Sequence, residues 1–140
     1  MGKNRLVIDP DYEFDLYGII TTIKEYKLAW ELNKVLDIHL IKQEDFKFDL
    51  LREGPLVISN FLFETEHLQY RLLKNKPVDQ SVNKTVYLLP ELQKFDFLLI
   101  IKGLSKQDDD IVSKIKSIPL IDFASRFNVS ELRAKENLIF

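Results

Sequence analysis

The sequence predicts an α+β domain: an antiparallel-rich sheet with two helices on one face, in two strand–helix–strand units that resemble an enlarged ferredoxin-like arrangement. Three observations predict it. The strand–helix–strand pattern occurs twice, across residues 16–41 and again across 97–127. Between the two units, apolar and polar residues alternate over short runs, as in Leu68, Tyr70 and Leu72, which is the period of hairpin strands. No linker, long repeat or biased tract divides the 140 residues, so 1–140 reads as a single domain. Crossovers of this size are right-handed almost without exception, which places both helices on one sheet face. The other face is then expected to be open to solvent, a partner or a second copy.

The elements follow in order. Tyr12, Phe14 and Leu16 alternate with Glu13 and Asp15, a half-buried strand running towards Ile20. Thr22 and Glu25 have the spacing of a capping box, and Leu28, Leu32, Val35 and Leu36 recur at helical spacing, so a helix is expected over 22–36. Ile38–Ile41 is a short β-branched run, and Phe46 and Phe48 alternate with charged residues. Gly54-Pro55 marks a turn before a strand at Leu56–Phe63, and Glu64–His67 turns the chain into the run from Leu68 to Leu72. Val86–Leu89 and Phe97–Ile101 are further apolar runs. Ser105 and Asp108 have the spacing of a serine-plus-acid cap, Asp108-Asp109-Asp110 places negative charge at the positive end of a helix over 106–118, and Pro119 ends it before a strand at Leu120–Phe127.

Composition excludes several classes of function. With 46% hydrophobic and 30% charged residues and only four Gly and five Pro, the chain is a folded globule rather than a disordered or collagen-like one. The absence of cysteine removes disulfides, thiolate catalysis and Cys-based metal centres. No apolar run approaches the roughly 20 residues of a membrane span, and Met1–Arg5 opens no secretory signal, so a cytoplasmic location is expected. The net charge of −2 is evenly mixed: seven basic and ten acidic side chains in 1–50, six and six in 51–100, seven and six in 101–140. Nucleic-acid affinity rests on clustered Lys and Arg, and no segment supplies such a cluster.

Few residues carry a chemical signal. Asp9, Asp11, Glu13 and Asp15 could converge on a hard cation, but the calcium-loop pattern counted from Asp9 needs Gly and Glu where the chain has Phe14 and Ile20. An acidic outward strand face is the simpler account. His39 and His67 have no second ligand at metal spacing, and no nucleophile elbow accompanies them. Gly2, Gly18, Gly54 and Gly103 are isolated, so neither a P-loop nor a dinucleotide fingerprint is present, and no cofactor is expected. Gly18 inside a strand points to a bulge or a close backbone approach, and Gly103 to turn geometry. Of the ten Phe, five Tyr and one Trp, most read as core. Trp30 and Tyr26 lie away from the apolar stripe of their helix. A lone Trp in a small domain is usually buried, which is the expectation here, and if exposed Trp30 is the foremost interface candidate.

Leu89-Pro90-Glu91-Leu92-Gln93-Lys94-Phe95-Asp96-Phe97 resembles the signature of the bacterial IPExxxVDY family, with Tyr12–Ile19, Trp30–Asn33 and Glu136–Phe140 extending the resemblance over essentially the whole chain. Proline, glutamate and aspartate stand in register; Leu89, Phe95 and Phe97 replace Ile, Val and Tyr, the last removing a phenolic hydroxyl. The family has no established activity to carry over, and its gene neighbourhood with ribonuclease III and pyruvate kinase implies only a housekeeping context. Pro90 should end or edge a strand, with Glu91 and Asp96 holding backbone amides of the bend rather than reacting. The apolar tail ending at Phe140 should dock on the body or on a partner. The functional expectation is a non-enzymatic protein-interaction or adaptor module, self-associating or binding a protein partner, with no nucleic acid and no membrane. The alternatives are a small-ligand regulatory domain and an RNA-processing accessory factor. Carboxylates brought together by folding, such as Asp15, Glu91 and Asp96, would form a site that the sequence does not show, and with it an enzyme.

Overall fold

The computed structural model describes residues 14–50, 54–76, 88–103 and 110–132. In chain order these form β1 (Phe14–Thr21), α1 (Glu25–Leu36), β2 (Ile41–Lys42), β3 (Phe46–Leu50), β4 (Gly54–Ile58), β5 (Asn60–Glu64), β6 (Leu68–Lys74), β7 (Phe97–Gly103), α2 (Ile111–Lys116) and β8 (Ile121–Phe127). Single 3-10 turns lie at Pro90–Leu92 and Val129–Glu131.

The described residues build a six-stranded sheet in the order β2-β5-β6-β7-β1-β8, every pair antiparallel, beside a separate β3–β4 ladder. The run β8-β1-β7-β6 has the strand order of a ferredoxin-like sheet, with β1–α1 and β7–α2–β8 as its helical halves. The enlargement lies between α1 and β6: β2 sits at the far edge, and β3 to β5 follow it before the chain returns to the centre. The α+β class is thus as predicted, with the insertion placed after the first helix.

Both helices pack on one face. Leu28, Ala29 and Leu32 of α1 and Ile111 and Ile115 of α2 join Tyr17, Ile19, Leu72, Phe97, Leu99, Ile101 and Ala124 in one buried cluster. The opposite face is not open, and the expectation of an uncovered sheet face is overturned. Leu16, Leu73, Leu98 and Ile100 point there, under Ile58, Leu88, Leu89, Val129 and Leu132. Each buried leucine contributes on the order of 1.5–3 kcal/mol, so this second layer is a core in its own right. The centre of this face is therefore not the bare surface that a dimer across it would need.

Local details differ from the sequence reading. The capping box does not form: α1 starts at Glu25 after Lys24, with no side-chain cap. Thr21, rather than Thr22, supplies the hydroxyl at this corner, accepting from Ile23 N at 3.3 Å and donating to Leu120 O at 2.6 Å. α1 ends on Asp37 in the left-handed region (φ 55), which aspartate tolerates, and Asn33 Oδ1 accepts from Leu40 N at 2.7 Å to lead the chain away. The first strand after α1 is only Ile41–Lys42, not Ile38–Ile41. Gly54 and Pro55 lie inside β4 rather than in a turn, and Ser59 divides the run 56–63 into β4 and β5, which belong to different sheets. Leu88 and Leu89 are in a bend, not a strand, while α2 spans only Ile111–Lys116. The Ser105–Asp109 cap, Asp9, Asp11, Glu13 and the Phe140 tail lie outside the described residues.

Gly18 stands in a regular stretch of β1 because aromatic rings cover it. A Cβ there would lie 2.6 Å from Phe95 Cδ1 and 2.8 Å from Phe127 Cε2, and those two rings meet edge to face at 4.9 Å. The bulge itself falls beyond it, between Ile20 and Thr21 against β8.

Candidate functional site

The outward side of α1 carries two of the five exposed large hydrophobic side chains among the described residues, Tyr26 and Trp30, the others being Ile41, Leu120 and Phe123. Positions 26 and 30 are one turn apart, about 6 Å along the axis at 1.5 Å per residue, and share a face. Leu28, Ala29 and Leu32 face the sheet, so Tyr26 and Trp30 are turned to solvent, 65% and 56% exposed. The expectation of a buried Trp30 is therefore wrong: amphipathicity of α1 forces it outward once Leu28 and Leu32 take the core. Lys34 continues the stripe, its Nζ 3.8 Å from the Trp30 ring centroid and 3.2 Å from Glu31 Oε1. Such a cation–π contact contributes on the order of 0.5–1 kcal/mol at an exposed site and holds the indole in place.

Tyr26 also lines a cleft of about 530 Å³ where α1 begins, with Thr21, Thr22, Lys24, Glu25, Lys74, Lys76, Asp96 and Phe97 among its walls. Three lysines and two carboxylates meet here. Asp96 is the structural centre: its Oδ2 accepts from Thr21 N at 3.0 Å, its Oδ1 lies 3.8 Å from Lys76 Nζ, and its own N donates to Ile19 O at 2.9 Å. It thereby ties the end of β1 to the start of β7. Asp96→Ala is expected to cost about 1–2 kcal/mol, mostly from the orphaned Thr21 amide, whereas Asp96→Asn should recover most of that loss. Equal unfolding midpoints for the alanine variant and the parent chain would refute this role.

The other sequence candidates do not assemble a site. Asp15 is at the opposite end of β1, 2.7 Å from Arg126 Nη2. Glu91 is exposed on the 3-10 turn that Pro90 starts, as proline at a first helical position should. Asp96, which accepts from Thr21 N, thus lies at the other end of β1 from Asp15, and a three-carboxylate centre is not formed. His39 and His67 are exposed. Among the described residues no group of three or more His, Cys, Asp or Glu side chains is placed to hold a metal ion, and no helix is long and apolar enough to cross a membrane.

The bend 88–96 has a keeper that the sequence did not announce. Asn75, fully buried, donates from Nδ2 to Leu92 O at 3.0 Å and Phe95 O at 3.1 Å, with a longer contact to Leu89 O at 3.4 Å. Its Oδ1 accepts from Leu89 N at 2.7 Å. Arg71 is a second missed residue. It is buried on the second sheet face, donates to Asn60 Oδ1 at 2.9 Å and stacks 4.9 Å from the Phe46 ring. Burial pushes its guanidinium below the ordinary arginine value, and the Glu64 carboxylate opposes the shift. Lys74 and Lys76 were likewise not singled out, since isolated lysines near a strand end carry no sequence signal.

No protein-family model matches the chain. Over 92 residues the chain is 27% identical to the cyclic 2,3-diphosphoglycerate synthetase of Methanothermus fervidus. That stretch is 66% of this chain but 20% of the synthetase, so the chain spans about a fifth of that protein's length. Identity at this level, over that fraction, does not place the chain in the enzyme's family.

Proposed function

We propose that the chain is a non-enzymatic protein-contact module, working as an adaptor through the outward face of α1. The observation that carries this reading is the paired exposure of Tyr26 and Trp30 in a chain whose sheet is filled on both faces. Trp and Tyr dominate binding energy at protein interfaces, and a folded chain gains nothing from leaving them in water. The signature residues fit as scaffold: Pro90 and Asp96 fix the bend and the β1 end, and membership of the IPExxxVDY family is part of the proposal.

Trp30→Ala tests it. The substitution removes a half-exposed side chain and its contact with Lys34, so stability should change by no more than about 1 kcal/mol. Partner affinity should fall at least about 30-fold, the effect of a hot spot worth 2 kcal/mol. Tagged parent and variant chains would be used for affinity capture from the native host, with and without nuclease. A stoichiometric protein retained after nuclease and lost from the variant supports the reading. A partner indifferent to Trp30, or none at all, overturns it, and partners released by nuclease would favour the RNA-linked alternative. The lysine-lined cleft favours a second reading, an anionic small ligand, which a thermal-shift panel of phosphorylated and carboxylated metabolites would reveal by raising Tm.

A further inference from the structure

Resting on the protein-contact reading, we infer that the partner presents an extended acidic segment, a large apolar side chain lying on Tyr26 and Trp30 and a neighbouring carboxylate entering the cleft beside Lys24 and Lys74. Continuity is the first argument. Tyr26 belongs both to the aromatic stripe and to the cleft wall, so one chain can occupy both without leaving the surface. In an extended peptide, residues two apart lie about 6.6 Å from one another on one side, close to the 6 Å between Tyr26 and Trp30 along α1.

Charge is the second argument. The chain as a whole carries −2, yet this side of it gathers Lys24, Lys27, Lys34, Lys74 and Lys76. Of the nearby acids, Asp96 is committed to Thr21 N and Lys76 and Glu31 to Lys34, while Glu25 lines the cleft with its Oε2 buried and unbonded, so these five lysines face three carboxylates. Lys24 and Lys74 have no carboxylate within ion-pair distance among the described residues. A basic segment would meet repulsion here, and a neutral one would leave the cleft lysines without an anion. Asp37, exposed at the far end of α1, places the acidic part of the partner towards the cleft rather than towards the helix C-terminus. Shape is the third argument. A concave space of about 530 Å³ admits side chains of an extended segment, the range in which small-ligand clefts fall, whereas a flat folded surface would span its mouth.

The test is a displayed random octapeptide library panned on the full chain, with Trp30→Ala and the double variant Lys24→Gln/Lys74→Gln as counter-selections. Enrichment of Asp or Glu within two residues of Phe, Trp or Leu is the expected result. A synthetic consensus peptide should then bind the parent chain with a shift in the emission of its single Trp and, by calorimetry, weaken at least tenfold with each variant and weaken as salt is raised. Enriched peptides that are neutral or basic, or acidic ones indifferent to the lysine variant, overturn the inference while a Trp30-dependent contact still stands. No enrichment, alongside a captured partner that requires Trp30, overturns it in favour of a folded docking surface. Loss of both results removes the protein-contact reading itself.

Discussion

Asn75→Ala is expected to lower the unfolding free energy by about 3–5 kcal/mol, a large share of the 5–15 kcal/mol typical of a domain. Four side-chain contacts join this amide to the bend 88–96. Leu89 O and Leu92 O would keep other donors, Leu92 N at 3.0 Å and Phe95 N at 2.9 Å. Leu89 N would lose its acceptor and Phe95 O its donor, both near the core, at roughly 1–3 kcal/mol each. The remainder comes from loosening Leu88 and Leu89, which are fully buried against the second sheet face. Urea unfolding would measure the loss, and a change below 1 kcal/mol would refute the role. Asn75→Asp sharpens the test. It keeps the acceptor for Leu89 N but turns a carboxylate on the carbonyls of Leu92 and Phe95. Those carbonyls favour the protonated acid, so its folded-state pKa lies above the unfolded one. The sign follows: this variant is most stable relative to the parent at low pH, and loses stability as pH rises through the folded-state pKa.

The motif that resembles a family signature is built into the fold. Pro90 begins the turn, Leu88, Leu89 and Leu92 line the second core, and Asp96 closes the strand junction. Its polar partner, Asn75, stands 13 residues before Leu88 and outside the motif. A sequence reader sees an asparagine after an apolar strand and assigns a turn. Only the return of residues 88–96 to the end of β6 turns that side chain into a buried mimic of a backbone ladder.

Much of the fold was legible because it rests on periodicity. The stripe Leu28–Leu32 placed α1, and the alternation from Leu68 to Leu72 with the break at Glu64–His67 located the β5–β6 hairpin. The covered second face was legible too, though misread. A strand with one wet face alternates, whereas Phe97-Leu98-Leu99-Ile100-Ile101 is apolar at every position and is buried at every position. That run already required cover on both sides. What sequence could not supply were the long-range partners: the Asp96 contact to Thr21 spans 75 residues and the Thr21 contact to Leu120 spans 99. The site was half legible. Tyr26 and Trp30 stood off the apolar stripe, which is the sign of exposure, but general habit of tryptophan argued against it. Lys74 and Lys76 reach the cleft only because β6 ends beside the start of β7.

Gly103→Ala is the other substitution expected to act strongly, at about 2–4 kcal/mol, and comparison with Gly18 shows why. At both positions an added Cβ collides with something. At Gly18 the obstacles are the rings of Phe95 and Phe127, half-buried side chains that can tilt, so the loss there should stay near the lower end of the 1–3 kcal/mol usual for overpacking. At Gly103 the obstacle is backbone. The added atom would run into the carbonyl oxygen of His67 and lie 3.0 Å from Leu68 Cα, and φ is +129°, a conformation side chains rarely adopt. Strain of that kind costs on the order of 1–3 kcal/mol before any collision is counted. Relief requires parting Leu68 from Gly103, the last pair of the β6–β7 ladder. Hydrogen exchange should therefore show lost protection at the 65–68 turn and the β7 end, with the β1–β8 pair unaffected. Unchanged protection at that turn would mean that the strand end bends aside freely, and that glycine is not required there.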